Sequence, residues 1–217
     1  MDEQLLNTLY ANQNAEKAFQ MAKYMKNQFP FLGIIKPERV RLTSPFIKEA
    51  RQSKRVDWEM VDQLWNLPER EFQYVAMSYL LAVRNYLQAE DINKLEALLT
   101  AKSWWDMVDL LACNAVGPLC LRFKELTDSH ILRWAESENI WLARSAILFQ
   151  LKYKDQTDPE LLRHIILQNS RSQEFFINKA IGWVLREYSK TDKEWVRNFL
   201  AEHLLSRLSV REAGKYL

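Results

Sequence analysis

Glycine and proline are scarce in this chain, at 4 and 6 of 217 residues. Turns between strands depend heavily on both, so the shortage favours helix over sheet. Cysteine is rarer still. Cys113 and Cys120 stand seven residues apart, about two turns along one helix, where they share a face but are too distant to bridge. His130, His164 and His203 are scattered, and no Cys/His cluster has ligand spacing, so no metal, cofactor or disulfide is expected. No run of eighteen apolar residues occurs, which excludes a transmembrane helix. Met1-Asp2-Glu3-Gln4-Leu5 carries acids where a signal peptide needs a basic flank and an apolar run, so a cytoplasmic protein without membrane association is expected. Net charge is only +2, so binding to a polyanion would depend on where the basic residues lie.

What the chain does have is apolar periodicity, in segments separated by short polar joints. Pro37-Glu38, Pro68-Glu69, Asp158-Pro159 and Thr191-Asp192 mark helix starts. Helices are expected near 4–11, 14–28, 37–52, 57–66, 68–86, 91–100, 103–123, 127–136, 139–154, 158–169, 173–189, 192–203 and 209–216, with no strand. The helices pair, and the pairs repeat. Ala76, Ala112, Ala146, Ala180 and Ala213 recur at separations of 36, 34, 34 and 33, each among apolar neighbours. A small residue at a fixed period lets stacked helical hairpins approach closely. No single hairpin can bury its own apolar face. Residues 1–217 are therefore expected to form one domain, an all-α helical-repeat solenoid with a concave surface.

The segment Lys102-Ser103-Trp104-Trp105-Asp106-Met107-Val108-Asp109 is the most informative. On a helix Trp105 and Asp109 share a face, roughly 5–6 Å apart at Cβ. An aromatic plane beside a carboxylate suits stabilising positive charge at carbon. Asp106 falls in the first turn after Ser103, where it complements the helix dipole, so the chemistry is assigned to Asp109. If the second helix of each pair lines the inner face, the repeat gathers Trp105, Asp109, Arg144, Lys179, Trp183, Arg186, Arg211 and Lys215 towards one groove. Such a groove is basic along its length and aromatic at one place, as a phosphate backbone with a nucleoside would select. Lys152 and Lys154 are further phosphate candidates. Trp58, Trp65, Trp104, Trp134, Trp141 and Trp195 are read as core. Gly182, beside Trp183 in mid-helix, signals a close approach.

Seven stretches resemble the AlkD-like DNA alkylation repair family. They are Met21–Asn27; Phe31–Ile34 with Pro37-Glu38-Arg39; Leu64–Phe72; Lys102–Asp109; Asn139–Leu142; Ala146–Lys154; and Glu174–Ile177 with Lys179–Tyr188. The resemblance implies a HEAT-like repeat DNA glycosylase that excises N3- and N7-alkylated purines. It places the catalytic carboxylate on Asp109, the active-site indoles on Trp105 and Trp183, the groove arginine on Arg144, and a DNA-proximal side chain on Tyr24. Lys152, Lys154, Lys179, Arg186 and Arg211 complete the expected DNA contacts. The partner implied is double-stranded DNA carrying alkylated purines, bound by a monomer in a bacterial-type cytosol. Thr43–Asp57 and the stretch before Glu16 match the family poorly.

The implied reaction explains why no histidine is suitably placed beside these residues. An N3- or N7-alkylpurine is already cationic and leaves as a neutral base without a general acid. Asp109 would stabilise the oxocarbenium-like sugar and position water. Trp105 and Trp183 would turn their negative ring faces to the same charge. The rival reading is a non-catalytic HEAT-repeat module that binds DNA or protein. It predicts loss of Trp105, Asp109, Trp183 or Arg144, and all four are present.

Overall fold

Short helices make up most of the structure, a computed structural model that describes residues 3–217. Met1 and Asp2, part of the acidic N-terminus, lie outside the described residues. Among the described residues there is no strand, and the fold is an all-α helical repeat. None of their helices is long and apolar enough to cross a membrane. The chain divides into two compact units, one ending at Leu87 and one spanning Gln88–Leu217.

The first unit contains α1 (Glu3–Ala11), α2 (Ala15–Tyr24), α3 (Lys36–Ser53), α4 (Trp58–Asn66) and α5 (Arg70–Val83). Asn14 caps α2 by accepting from the Lys17 amide at 2.9 Å, and Asp57 caps α4 by accepting from the Met60 amide at 3.0 Å. Helix α2 stops before the expected 28 because Lys26 and Asn27 turn left-handed, at φ 57° and 55°. Helix α5 packs on α3 and α4, with Phe72, Val75, Ala76 and Leu80 fully buried. Its first turn also holds a loop. The buried Glu71 carboxylate accepts from Leu32 N (2.9 Å) through Oε2, and from Gly33 N (2.9 Å) and Ile34 N (3.0 Å) through Oε1. Gly33 sits at φ 87°, and a Cβ there would lie 2.0 Å from the Asn14 carbonyl oxygen, so only glycine fits. The similarity words around Phe31–Ile34 and Glu69–Phe72 thus encode a structural clasp.

The second unit contains α6 (Ile92–Thr100), α7 (Trp105–Leu111), α8 (Gly117–Arg122), α9 (Leu132–Ala135), α10 (Ile140–Leu148), α11 (Pro159–Asn169), α12 (Phe175–Tyr188), α13 (Lys193–Glu202) and α14 (Arg207–Ala213). The expected helix 103–123 is α7 and α8 joined through a π-helical turn, Ala112–Val116. Pro118 explains the insertion. It has no N–H to continue the α-helical ladder, and the Gly117 amide reaches back to the Ala112 carbonyl instead. Helix α10 packs between α7 and α12, and α12 packs on α14, while α9 packs on α11. First and second helices of successive pairs therefore stack on their own kind.

The repeat shows in burial and in hydrogen bonding alike. Ala76, Ala112, Ala146, Ala180 and Ala213 are each 0% exposed. Side-chain bonds between neighbouring pairs span about one period: Cys113 Sγ to Leu148 O across 35 residues, Tyr153 Oη to Gly117 O across 36, and Asn169 Nδ2 to Ala135 O across 34. Gly182 is the close approach expected of it. A Cβ there would stand 2.5 Å from Glu212 Cβ and 2.8 Å from the Ser209 carbonyl oxygen, so glycine lets α14 seat against α12. Cys113 and Cys120 are free and buried, and burial pushes both thiols up to about 12, leaving them unreactive at neutral pH.

Candidate active site

Helix α7 begins at Trp105, two residues after the expected 103. Lys102 is left-handed at φ 51°, the Ser103 hydroxyl turns back to donate to the Leu99 carbonyl at 2.7 Å, and Trp104 enters in extended backbone. Trp105 is the first helical residue and Asp106 lies in the first turn, buried, where a carboxylate complements the helix N-terminus. Asp109 follows one turn after Trp105 and is partly sheltered.

Arg144 meets Asp109 from the next pair. It stands in α10 with Ala143 and Ser145 beside it, all three buried. Its Nε donates to Asp109 Oδ1 at 2.7 Å and its Nη2 to Oδ2 at 2.9 Å, a two-pronged pair of the kind planar guanidinium favours. Nη1 donates to the Phe176 carbonyl at the start of α12. Three successive pairs thereby converge on one guanidinium. The Arg144 side chain is 4% exposed and that of Asp109 14%, so the carboxylate keeps an open edge while its partner is enclosed. Burial raises the Asp109 carboxyl above its usual range; the Arg144 hydrogen bonds and charge pull it back down, and Asp106 adds a smaller upward push. The site therefore holds a desolvated carboxylate whose ionised form rests on Arg144. In this geometry the donors of Arg144 turn inward, to Asp109 and Phe176.

Phe176 links this pair to an aromatic trio. Trp104, read from sequence as core, is half-buried. Its ring lies 5.7 Å from Trp141 and 5.2 Å from Phe176, and Trp141 lies 5.0 Å from Phe176. Each ring of this trio comes from a different pair, and the guanidinium of Arg144 sits 5.9 Å from the Phe176 ring centre. Sequence reasoning gave Phe176 no role of its own, although it falls within the Glu174–Ile177 stretch. Its one signal was its position about one repeat beyond Trp141.

Trp183 is half-buried and lines a cavity of about 620 Å³ that also meets Lys152, Lys154 and Tyr188. The structure thus gathers two of the expected phosphate contacts around this indole. Lys152 donates to Asn114 Oδ1 at 2.6 Å, and Lys154 projects from a left-handed residue at φ 55°. Lys179 and Arg186, one turn before and after Trp183 on α12, both pair with Glu212, and Arg211 is exposed on α14. Tyr24 belongs to the first unit. It is 70% exposed at the end of α2 and borders a small apolar hollow with Met21, Met25, Phe31 and Tyr74.

Comparison with known proteins shows the family. The model of the family described as DNA alkylation repair enzyme matches residues 5–217. A solved structure described as a predicted DNA alkylation repair enzyme from Enterococcus faecalis is 35% identical, with a TM-score of 0.87, across 94% of this chain and 96% of that one. A search of the curated proteins gives no match. The chain belongs to the family of DNA alkylation repair enzymes, the AlkD-like family that its sequence resembles.

Proposed function

We propose that the chain is a DNA glycosylase hydrolysing the N-glycosidic bond of cationic N3- and N7-alkylated purines, 3-methyladenine and 7-methylguanine, in duplex DNA. It would thereby start base excision repair, as a monomer and without metal or cofactor. One observation carries this reading: a sheltered carboxylate, Asp109, held by a buried arginine and preceded by an indole one turn earlier on the same helix.

The chemistry needs little more. An alkylated purine bears its positive charge before reaction, so when the C–N bond breaks the base takes the electron pair and leaves neutral. Charge moves to the sugar, where the Asp109 carboxylate and the ring faces of Trp105 and Trp183 stabilise it. Water then bonds to the sugar carbon, and Asp109 accepts the proton that water gives up. Arg144 uses one donor on each carboxylate oxygen, and each oxygen keeps lone-pair capacity for water or sugar. Its hydrogen bonds and charge favour the ionised form of a carboxylate that burial disfavours, the form this mechanism uses.

The test incubates purified protein with methylated duplex DNA and identifies the free bases. Release of 7-methylguanine or 3-methyladenine supports the assignment. Binding with no release would instead favour a non-catalytic module.

A further inference from the structure

Between Lys36 and Arg55 the chain carries seven cations and two acids, a local net charge of +5 where the whole chain has +2. The stretch is α3 and the two residues after it. Arg39 is committed to the fold, with its guanidinium 4.4 Å from the Tyr74 ring centre. Arg41, Lys48 and Arg51 are not. All three are exposed, and among the described residues none of them has an ion pair or a hydrogen bond. Lys48 and Arg51 are three residues apart and Arg41 is seven before Lys48, so all three share one face of the helix. The acids lie off it. Glu38 pairs with Lys17 of α2 at 3.8 Å, and Glu49 has no cation three or four residues away. By contrast, Lys179, Arg186 and Lys215 in the second unit all bond to Glu212.

A face of this kind gains nothing from folding, because like charges one turn apart weaken a helix. Its surroundings give it a use. A hollow of about 480 Å³ between α3 and α5 is lined by Ser44, Lys48 and Arg51 on one side and Ser78, Leu81 and Ala82 on the other, and no acid lines it. Lys48 and Arg51 can therefore meet one anion there. The Ser44 hydroxyl, exposed one turn before Lys48, is a further donor.

The register of α3 indicates which anion. Thr43 stands 33 residues before Ala76 and is 3% exposed, so it fills the small-residue position of the repeat. Threonine in place of alanine hides that register in the sequence. Helix α3, packed on α5, thus ranks with the second helices, which in later repeats carry Asp109, Arg144 and Trp183. Arg41 stands two residues before Thr43, as Arg144 does before Ala146. Free cations and a hydroxyl on a helix of this rank suit a nucleic-acid backbone, whose bound counterions they would release.

We propose that the face of α3 bearing Arg41, Ser44, Lys48 and Arg51 is a DNA-binding surface of the first unit, with Lys48 and Arg51 meeting a backbone phosphate at the hollow against α5. It lies mostly in Thr43–Asp57, the stretch that departs from the family, so this contact belongs to the chain itself. The proposal rests on the glycosylase reading only in taking duplex DNA as the partner.

The test is binding to an undamaged DNA duplex, by fluorescence anisotropy over a series of salt concentrations. Lys48→Gln and Arg51→Gln should each lower the slope of log affinity against log salt by about 1. Lys193→Gln removes the same charge from an exposed, unpaired position on α13, and should leave the slope unchanged. Both α3 variants should melt at or above the wild-type temperature, since each removes a like-charged neighbour. A wild-type slope in both variants overturns the proposal, and so does an equal fall in Lys193→Gln, which would reflect overall charge. A wild-type slope together with lost binding to polyglutamate would assign the face to an acidic protein instead. The readout is independent of base release. A wild-type protein that binds duplex but frees no alkylated base counts against the glycosylase alone, and an unchanged slope counts against the α3 surface alone.

Discussion

Replacing Arg144 by methionine removes the partner that the structure gives to Asp109, and its consequence can be worked out. The pair is enclosed, with 4% and 14% of the side chains exposed, and joined by ionic hydrogen bonds of 2.7 and 2.9 Å. Methionine has a similar length and no charge. It leaves a carboxylate that burial already disfavours without compensation, and orphans the Phe176 carbonyl contact. Breaking such a pair from one side costs about 3–5 kcal/mol. For a chain of this size that lowers the midpoint by roughly 6–20 °C, at about 2–4 °C per kcal/mol. Asp109→Asn in the same background removes the stranded charge, so the double variant should regain part of the loss. Urea unfolding of the wild type, both single variants and the double variant measures the coupling, expected towards the upper end of about 0.5–3 kcal/mol. A cost below about 1 kcal/mol for Arg144→Met, or additivity within about 0.5 kcal/mol, would show that the pair is not the buried, mutually dependent unit described.

The pH dependence of base release should follow the same pair. Only ionised Asp109 can stabilise the sugar cation, and its raised pKa places the acid limb of kcat/KM above that of an ordinary aspartate. Arg144→Met removes both downward influences, so the limb should move to still higher pH; an unmoved limb would assign it to another group. Glu71→Gln should loosen the Phe31–Ile34 loop. Glutamine can present its one carbonyl oxygen to the Gly33 and Ile34 amides, but its NH₂ then faces the Leu32 amide donor. A loss of about 1–3 kcal/mol is expected, with faster hydrogen exchange at Leu32, Gly33 and Ile34. Wild-type exchange there would rule out the clasp.

The helices and the repeat were legible because both rest on burial, which apolar spacing records directly. Every repeat alanine proves buried, and most helix ends fall within a few residues of expectation. The exceptions have physical causes. Helix α10 ends at Leu148 although apolar residues continue to Tyr153, because burial there continues without helix. The Gln150 side chain instead accepts from the Asp158 amide at 2.8 Å, and Tyr153 donates to Gly117. Asp109 and Trp105 were legible as neighbours on one face. The inward turn of Arg144 was not, because a lone arginine in an apolar helix has the same sequence pattern whether it faces a carboxylate or a phosphate. Glu212 was hidden for a related reason: among Arg211, Ala213 and Lys215 it reads as a solvated acid, and only the packing of α14 on α12 adds Lys179 and Arg186 to its local partner Lys215.

The most direct test of the central claim is the rate at which Asp109→Asn frees 7-methylguanine from methylated duplex DNA under single-turnover conditions. Asparagine keeps the size and one acceptor and removes the charge. The account predicts that duplex binding persists while the rate falls by about 10²–10³, the scale of one lost electrostatic contact to a transition state. A rate within a few-fold of wild type would contradict it, and would leave Asp109 as the partner of a structural arginine.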